Sequence, residues 1–301
     1  MLKKYTPFLG LIGTFLLVFL YLRKPSFPTP DKLLILLIFI GMIFRQTVEV
    51  LKRFVPFVVL LLAYDTFRGF ADYLNDNVHY KLMADFDREF FAGLPTQHLQ
   101  NWLWHGAVQW YDIGFYLIYM MHFVLPIALA ILIWKTREKQ YWRYVMTFVL
   151  VSFAGFFTYV LYPAAPPWLA TQVGVIEPIH RISSDVWFTL GVNDFPSVYN
   201  KISPNPVAAV PSLHAAYATL FFLFMISLYK TRWKFLAAIY PFGIFVGTVY
   251  MGEHYVFDII LGVIYASIAY KFAPKALNLA IKIPKTKPAK KLLKLYKLTT
   301  K

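Results

Sequence analysis

Long apolar runs alternate with polar segments along this chain at a spacing that water-soluble domains do not use. Mainly apolar stretches occupy 6–22, 32–47, 54–74, 107–134, 143–162, 210–229, 234–252 and 254–272. A helix crossing a bilayer needs about twenty such residues, so the pattern predicts eight transmembrane helices, with 32–47 carrying the shortest strongly apolar core. Two polar stretches, 75–106 and 163–209, are too long to be simple turns and are expected to wall a site on one side of the membrane. Connections on the other side are short, as in the basic turn Lys230-Thr231-Arg232-Trp233-Lys234.

Composition agrees with that reading: 59% hydrophobic, 19% aromatic and only 15% charged over 301 residues is more apolar surface than one soluble core can cover. The expected fold class is all-α, a polytopic membrane helical bundle. Placing the N-terminus in the cytoplasm puts most of the 30 Lys and Arg residues on the inner side. The same assignment makes 75–106 and 163–209 extracytoplasmic. Arg23, Lys24 and Lys32 run against the trend, so the first hairpin is the weakest part of the scheme. The opening Met1-Leu2-Lys3-Lys4 and the apolar run after it resemble a signal peptide. Arg23-Lys24-Pro25 stands where small residues would mark cleavage, and we read a retained helix.

Charge and cysteine usage narrow the partners. The absence of cysteine excludes disulfides, Cys-ligated zinc and thiol nucleophiles. Much of the net charge of +15 comes from 275–301, which holds nine lysines and no acid. Beside a membrane such a tail is expected to meet anionic lipid head groups, with no nucleic-acid partner.

Two motifs carry the chemistry. Pro211-Ser212-Leu213-His214 and His254-Tyr255-Val256-Phe257-Asp258 each open an apolar run, and the two crossings between them return the chain to the side it left. Both histidines therefore share one face of the membrane. Unrelated interfacial histidines at two helix ends would explain either motif alone; their joint occurrence favours a site. His254 and Asp258, four residues apart, share a helical face. The carboxylate can take the proton of one ring nitrogen, which leaves the other as a nucleophile. Pro211 suits a first helical turn, Ser212 can cap or line it, and the free N–H groups there form an anion site. His214 can act as acid and base, since its ordinary pKa lies near neutrality. Five further histidines are at 79, 98, 105, 122 and 180, with His122 inside the fourth span. No His-x3-His or His-Glu-x2-His pair occurs, so neither metal nor cofactor is expected.

These residues resemble the second and third signatures of the type 2 phosphatidic acid phosphatase (PAP2) superfamily. Within it the chain is most similar to the inositol phosphorylceramide synthase branch. That likeness rests on Tyr162-Pro163-Ala164-Ala165-Pro166-Pro167-Trp168, on Val210 to Ala215, on Thr248 to Asp258, and on Asp87 to Gln100 with Gly93-Leu94-Pro95-Thr96. The resemblance implies a six-helix catalytic core over 54–272, preceded by two accessory helices in 1–53 and followed by a basic tail from 273. It also implies that His254 accepts the phosphoryl group, Asp258 orients it, His214 serves the leaving and entering oxygens, and Ser212 binds phosphate.

Two departures matter. Gly247 and Thr248 stand where the superfamily carries Ser-Arg, and Lys-x6-Arg-Pro is met only by Lys81 and Arg88, with Glu89 in place of proline. Lys81, Arg88 and Arg68 are therefore the candidate phosphate contacts, Arg68 because an arginine inside a span needs a partner or a polar cavity. Arg181 and Lys201 are further candidates. Pro166-Pro167-Trp168 is expected to end the fifth span, with Trp168 at the membrane interface. The function expected is transfer of a phosphoryl head group, inositol phosphate being one, between lipid substrates through a phosphohistidine on the extracytoplasmic face. The alternatives are a phosphatase for phosphatidate or polyprenyl diphosphate, and a lipid transporter without catalysis.

Overall fold

In the computed structural model residues 2–23, 30–190, 205–229 and 234–282 are described. Lys201 and the expected lipid-binding tail beyond 282 fall outside them, while residues 273–282, expected as the start of that tail, continue the last helix. The helices are α1 (Leu2–Arg23), α2 (Pro30–Ile43), α3 (Thr47–Leu74), α4 (Leu82–Phe91), α5 (Pro95–Leu103), α6 (Trp110–Thr136), α7 (Tyr141–Leu161), α8 (Pro167–Gln172), α9 (Ile182–Thr189), α10 (Leu213–Leu228), α11 (Lys234–Tyr250) and α12 (Val256–Lys282). This is an all-α membrane bundle. Four of these segments, Tyr5–Arg23, Trp110–Thr136, Glu138–Leu161 and Val256–Ala280, are long and apolar enough to cross a bilayer, and α10 and α11 are shorter apolar helices. The protein is an integral membrane protein. α1 leaves Phe8, Phe15 and Leu22 more than 60% exposed, a surface that only lipid or another apolar partner covers.

α10 runs through the centre and packs against α6, α7, α11 and α12, while α7 is wedged between α3 and α12. The aromatic-rich core includes Phe54, Phe57, Tyr144, Phe148, Tyr217 and Phe224. α1 and α2 pack in sequence onto α3. The expected boundary at residue 54 does not fall between helices, because α3 already begins at Thr47. Its first turns are polar yet ordered: buried Arg53 joins Glu49 and Glu138, and its guanidinium lies 5.1 Å from the Trp134 ring.

The described parts of the two long polar segments carry short helices and are stitched together by single bridges. His79 donates to Pro163 O (2.8 Å), Ala164 to Val207 O (2.8 Å) and Ala209 to Ala164 O (3.2 Å). Pro166 caps α8 and Pro167 is its first residue, so this pair starts a helix after α7 has ended at Leu161. Proline suits that position because its missing N–H has no partner to lose. Trp168, expected at the interface, is instead buried, its ring 3.8 Å beneath the Arg181 guanidinium.

One glycine sets how closely α12 approaches the start of α10. A Cβ on Gly262 would lie 2.4 Å from Ser212 O and 3.1 Å from Ala215 Cβ. Gly262→Ala should therefore cost about 1–3 kcal/mol through overpacking. Gly114→Ala, where nothing lies within 4 Å, should not. Thermal midpoints of the detergent-solubilised variants check this, and equal midpoints would remove the role given to Gly262.

Candidate active site

The turn between α11 and α12 delivers the nucleophile candidate. Glu253 N–H donates to Thr248 O (2.9 Å) and Gly252 N–H to Val249 O (3.0 Å), the paired bonds of a Schellman helix end. Gly252 has φ +78, and a Cβ there would lie 3.0 Å from His180 O; only glycine takes that place without strain. The chain then reverses and presents His254.

Two carboxylates hold the start of α12. Asp258 Oδ2 accepts from the Tyr255 N–H (3.0 Å), and Asp87 of α4 accepts from Val256 (2.9 Å) and Phe257 (3.0 Å). The first N–H groups of a helix lack internal partners, and acids are favoured there by the dipole. Asp87, outside the spans, is fully buried. Burial pushes its pKa up to about 6, against the lowering effect of the two N–H donors. With the folded pKa above that of the unfolded chain, stability from this group is complete below about pH 4 and is lost as pH rises through about 6. The thermal midpoint of the wild type minus that of Asp87→Asn should therefore fall between pH 4 and pH 7. A difference flat in pH would contradict this assignment.

The histidines meet across this frame. His254 Nδ1 lies 3.1 Å from Asp258 Oδ2, and His254 Nε2 lies 3.3 Å from His214 Nδ1. The carboxylate fixes the proton on His254 Nδ1, so Nε2 carries the lone pair and His214 Nδ1 is the donor of the second bond. Asp258 is wholly buried, and its Oδ1 has no hydrogen-bond partner among the described residues. Just before His254, buried Glu253 takes Arg181 (3.0 and 3.3 Å) and the Ser183 hydroxyl.

A cavity of about 130 Å³ opens onto the pair. Its lining includes Glu253, Ser183 and Asn205 beside His254 and His214, then His122, Tyr217, Asp65 and Arg68, and apolar Leu61, Ile127 and Phe148. Among the described residues no group of three His, Asp or Glu side chains is placed to hold a metal ion.

Of the residues singled out from sequence, His214, His254, Asp258 and Arg68 come together. Ser212 does not line the cavity: it is buried as the N-cap of α10, its Oγ accepting from Ala215 N–H (3.2 Å) and its own N–H donating to Asp258 O (3.0 Å). Lys81 and Arg88 are not brought to the histidines either. α4 buries Met83, Ala84 and Asp87, which leaves Lys81 exposed and turns Arg88 outward to Glu177 (Nε–Oε1 3.2 Å) and Asp85 (2.8 Å). Arg181 is held by Glu253 and Trp168. At the place of the absent superfamily arginine, Thr248 donates to Ile244 O (2.7 Å), and a side chain on Gly247 would meet Phe115 at 2.9 Å.

His122 is the residue to which sequence gave no role. Its ring lies 4.2 Å from that of His214 and 4.8 Å from that of Tyr217, and Tyr119 stacks on His214 at 4.4 Å. The signal was its type: an ionisable side chain inside an apolar helix marks a functional position by default.

One cavity thus brings together an imidazole backed by a buried carboxylate, a second imidazole 3.3 Å away and an arginine. The chain belongs to the PAP2 superfamily, whose family model matches residues 83–272. It is 29% identical over 252 residues to the phosphoinositol dihydroceramide synthase of Bacteroides thetaiotaomicron, covering 80% of this chain and 81% of that protein. It is 28% identical over 173 residues to the inositol phosphorylceramide synthase of Candida albicans, covering 52% of this chain and 35% of that one. No solved structure matches the chain.

Proposed function

We propose that this protein is a lipid phosphotransferase that moves a phosphoinositol head group from phosphatidylinositol to a ceramide-type alcohol, on the extracytoplasmic face, through a phosphohistidine at His254. The observation that carries the reading is the His214–His254–Asp258 alignment, with both ring-nitrogen contacts within 3.3 Å.

His254 Nε2 attacks phosphorus and the bond to the diacylglycerol oxygen breaks. Protonated His214 gives its proton to that oxygen, diacylglycerol departs, and the head group remains on His254. Neutral His214 then takes the proton of the acceptor hydroxyl, whose oxygen attacks phosphorus as the phosphorus–nitrogen bond breaks. Asp258 stabilises the imidazolium character of His254 in both steps. Arg68, lining the same cavity, supplies the positive charge on phosphate oxygens that Thr248 cannot. The relatives' names supply the donor head group and the acceptor class. Proteoliposomes given phosphatidylinositol labelled in the inositol test the reading. Label in a lipid product made only when ceramide is present supports it, whereas water-soluble inositol phosphate would make the protein a phosphatase. Lipid movement without bond cleavage would make it a transporter.

A further inference from the structure

An in-line displacement puts the leaving and entering oxygens opposite His254 Nε2, on the side of His214. The lipid backbone attached to that oxygen must therefore lie beyond His214. There the cavity wall is polar in an unusual way. His122 lies tilted against His214 with ring centroids 4.2 Å apart, and its Nδ1 is buried without a hydrogen-bond partner among the described residues. Asp65 faces the same space from α3, one turn before Arg68.

A carboxylate inside a membrane helix is costly and marks a contact or a pathway. Arg68 attracts this carboxylate from one turn along α3 and phosphate oxygens would repel it, so a lipid group that meets Asp65 directly is a neutral hydrogen-bond donor. Resting on the phosphoryl-transfer reading above, we propose that Asp65 and His122 form the subsite for the acceptor lipid. In it they select an alcohol that carries a second O–H or N–H donor beside its reacting hydroxyl. A ceramide offers an amide N–H and a secondary hydroxyl at that place. Diacylglycerol offers only ester oxygens, which Asp65 repels and cannot bind. The subsite thus holds the acceptor and releases the product of the first step, which directs transfer forward.

The full chain in liposomes, with labelled phosphatidylinositol and either ceramide or its 3-O-methyl analogue, tests this. The wild type should prefer ceramide by roughly tenfold or more in kcat/KM, the worth of a hydrogen bond to a charged group. Asp65→Asn should compress that preference to roughly threefold or less, and His122→Gln should compress it in the same direction. Phosphohistidine trapped before acceptor is added should still form in both. An undiminished preference in both variants would overturn the subsite. So would loss of phosphohistidine formation in Asp65→Asn, which would place Asp65 in the donor step. If one variant does not fold, the other decides. A wild type that transfers with no phosphohistidine would remove the earlier reading, while the acceptor preference would still decide this one.

Discussion

Replacing His254 by alanine is expected to abolish transfer, with a fall of about 10⁵-fold or more, the scale seen when a covalent nucleophile is removed. The expectation follows from geometry. Among the described residues, His254 alone has one ring nitrogen on a buried carboxylate and the other in the cavity. His214 shares the cavity but has no acid behind it among the described residues, so its deletion removes proton transfer and leaves the nucleophile. The two variants should differ in kind: His254→Ala gives no acid-labile phosphoenzyme, while His214→Ala accumulates little product but still forms the adduct slowly. Trapping with donor labelled in phosphate, followed by peptide location, reads this directly. Robust transfer by His254→Ala would end the assignment, and an adduct located on residue 214 would reverse the two roles.

The spacing of apolar runs was enough to read an all-α membrane bundle, but of the eight spans expected only four are long and apolar enough to cross among the described residues. Helix ends were less legible. α3 starts at Thr47 through ion pairs between Arg53, Glu49 and distant Glu138, and a partner so far along the chain leaves no local trace. The histidine pair could be placed on one face by counting crossings. Its closeness depends on Gly262 admitting α12 against Ser212, and a glycine in an apolar run looks the same whether it is tightly packed or not. Asp87 was noticed only as part of a resemblance. Its work, capping a helix that starts at Val256, is long-range and invisible to periodicity. Lys81 and Arg88 show the converse, in which a partial match to a family signature suggested phosphate contacts that do not line the cavity. α4 is amphipathic, and the face that packs on the bundle carries Asp87, with the cations on the other.

Asp258→Asn should lower the rate of phosphohistidine formation by about 10²–10⁴-fold while the fold persists. The wild-type Oδ2 serves both His254 Nδ1 and the Tyr255 N–H. An asparagine can keep both bonds with its carbonyl oxygen, but it then buries an NH2 where Oδ1 already has no partner and removes the charge that steadies the imidazolium. Turned over, it offers N–H to His254 Nδ1, which drives the ring proton to Nε2 and blocks the attacking lone pair. Both orientations impair the same step, and neither disturbs Asp87 at Val256 and Phe257, so the α12 start stays capped. The thermal midpoint should stay within a few degrees of wild type, because the charge lost was itself costly to bury. Single-turnover labelling and a melting curve on the same preparation check both halves. Full-rate labelling would show that Asp258 does not steer His254, and a collapse of the midpoint would make its role structural.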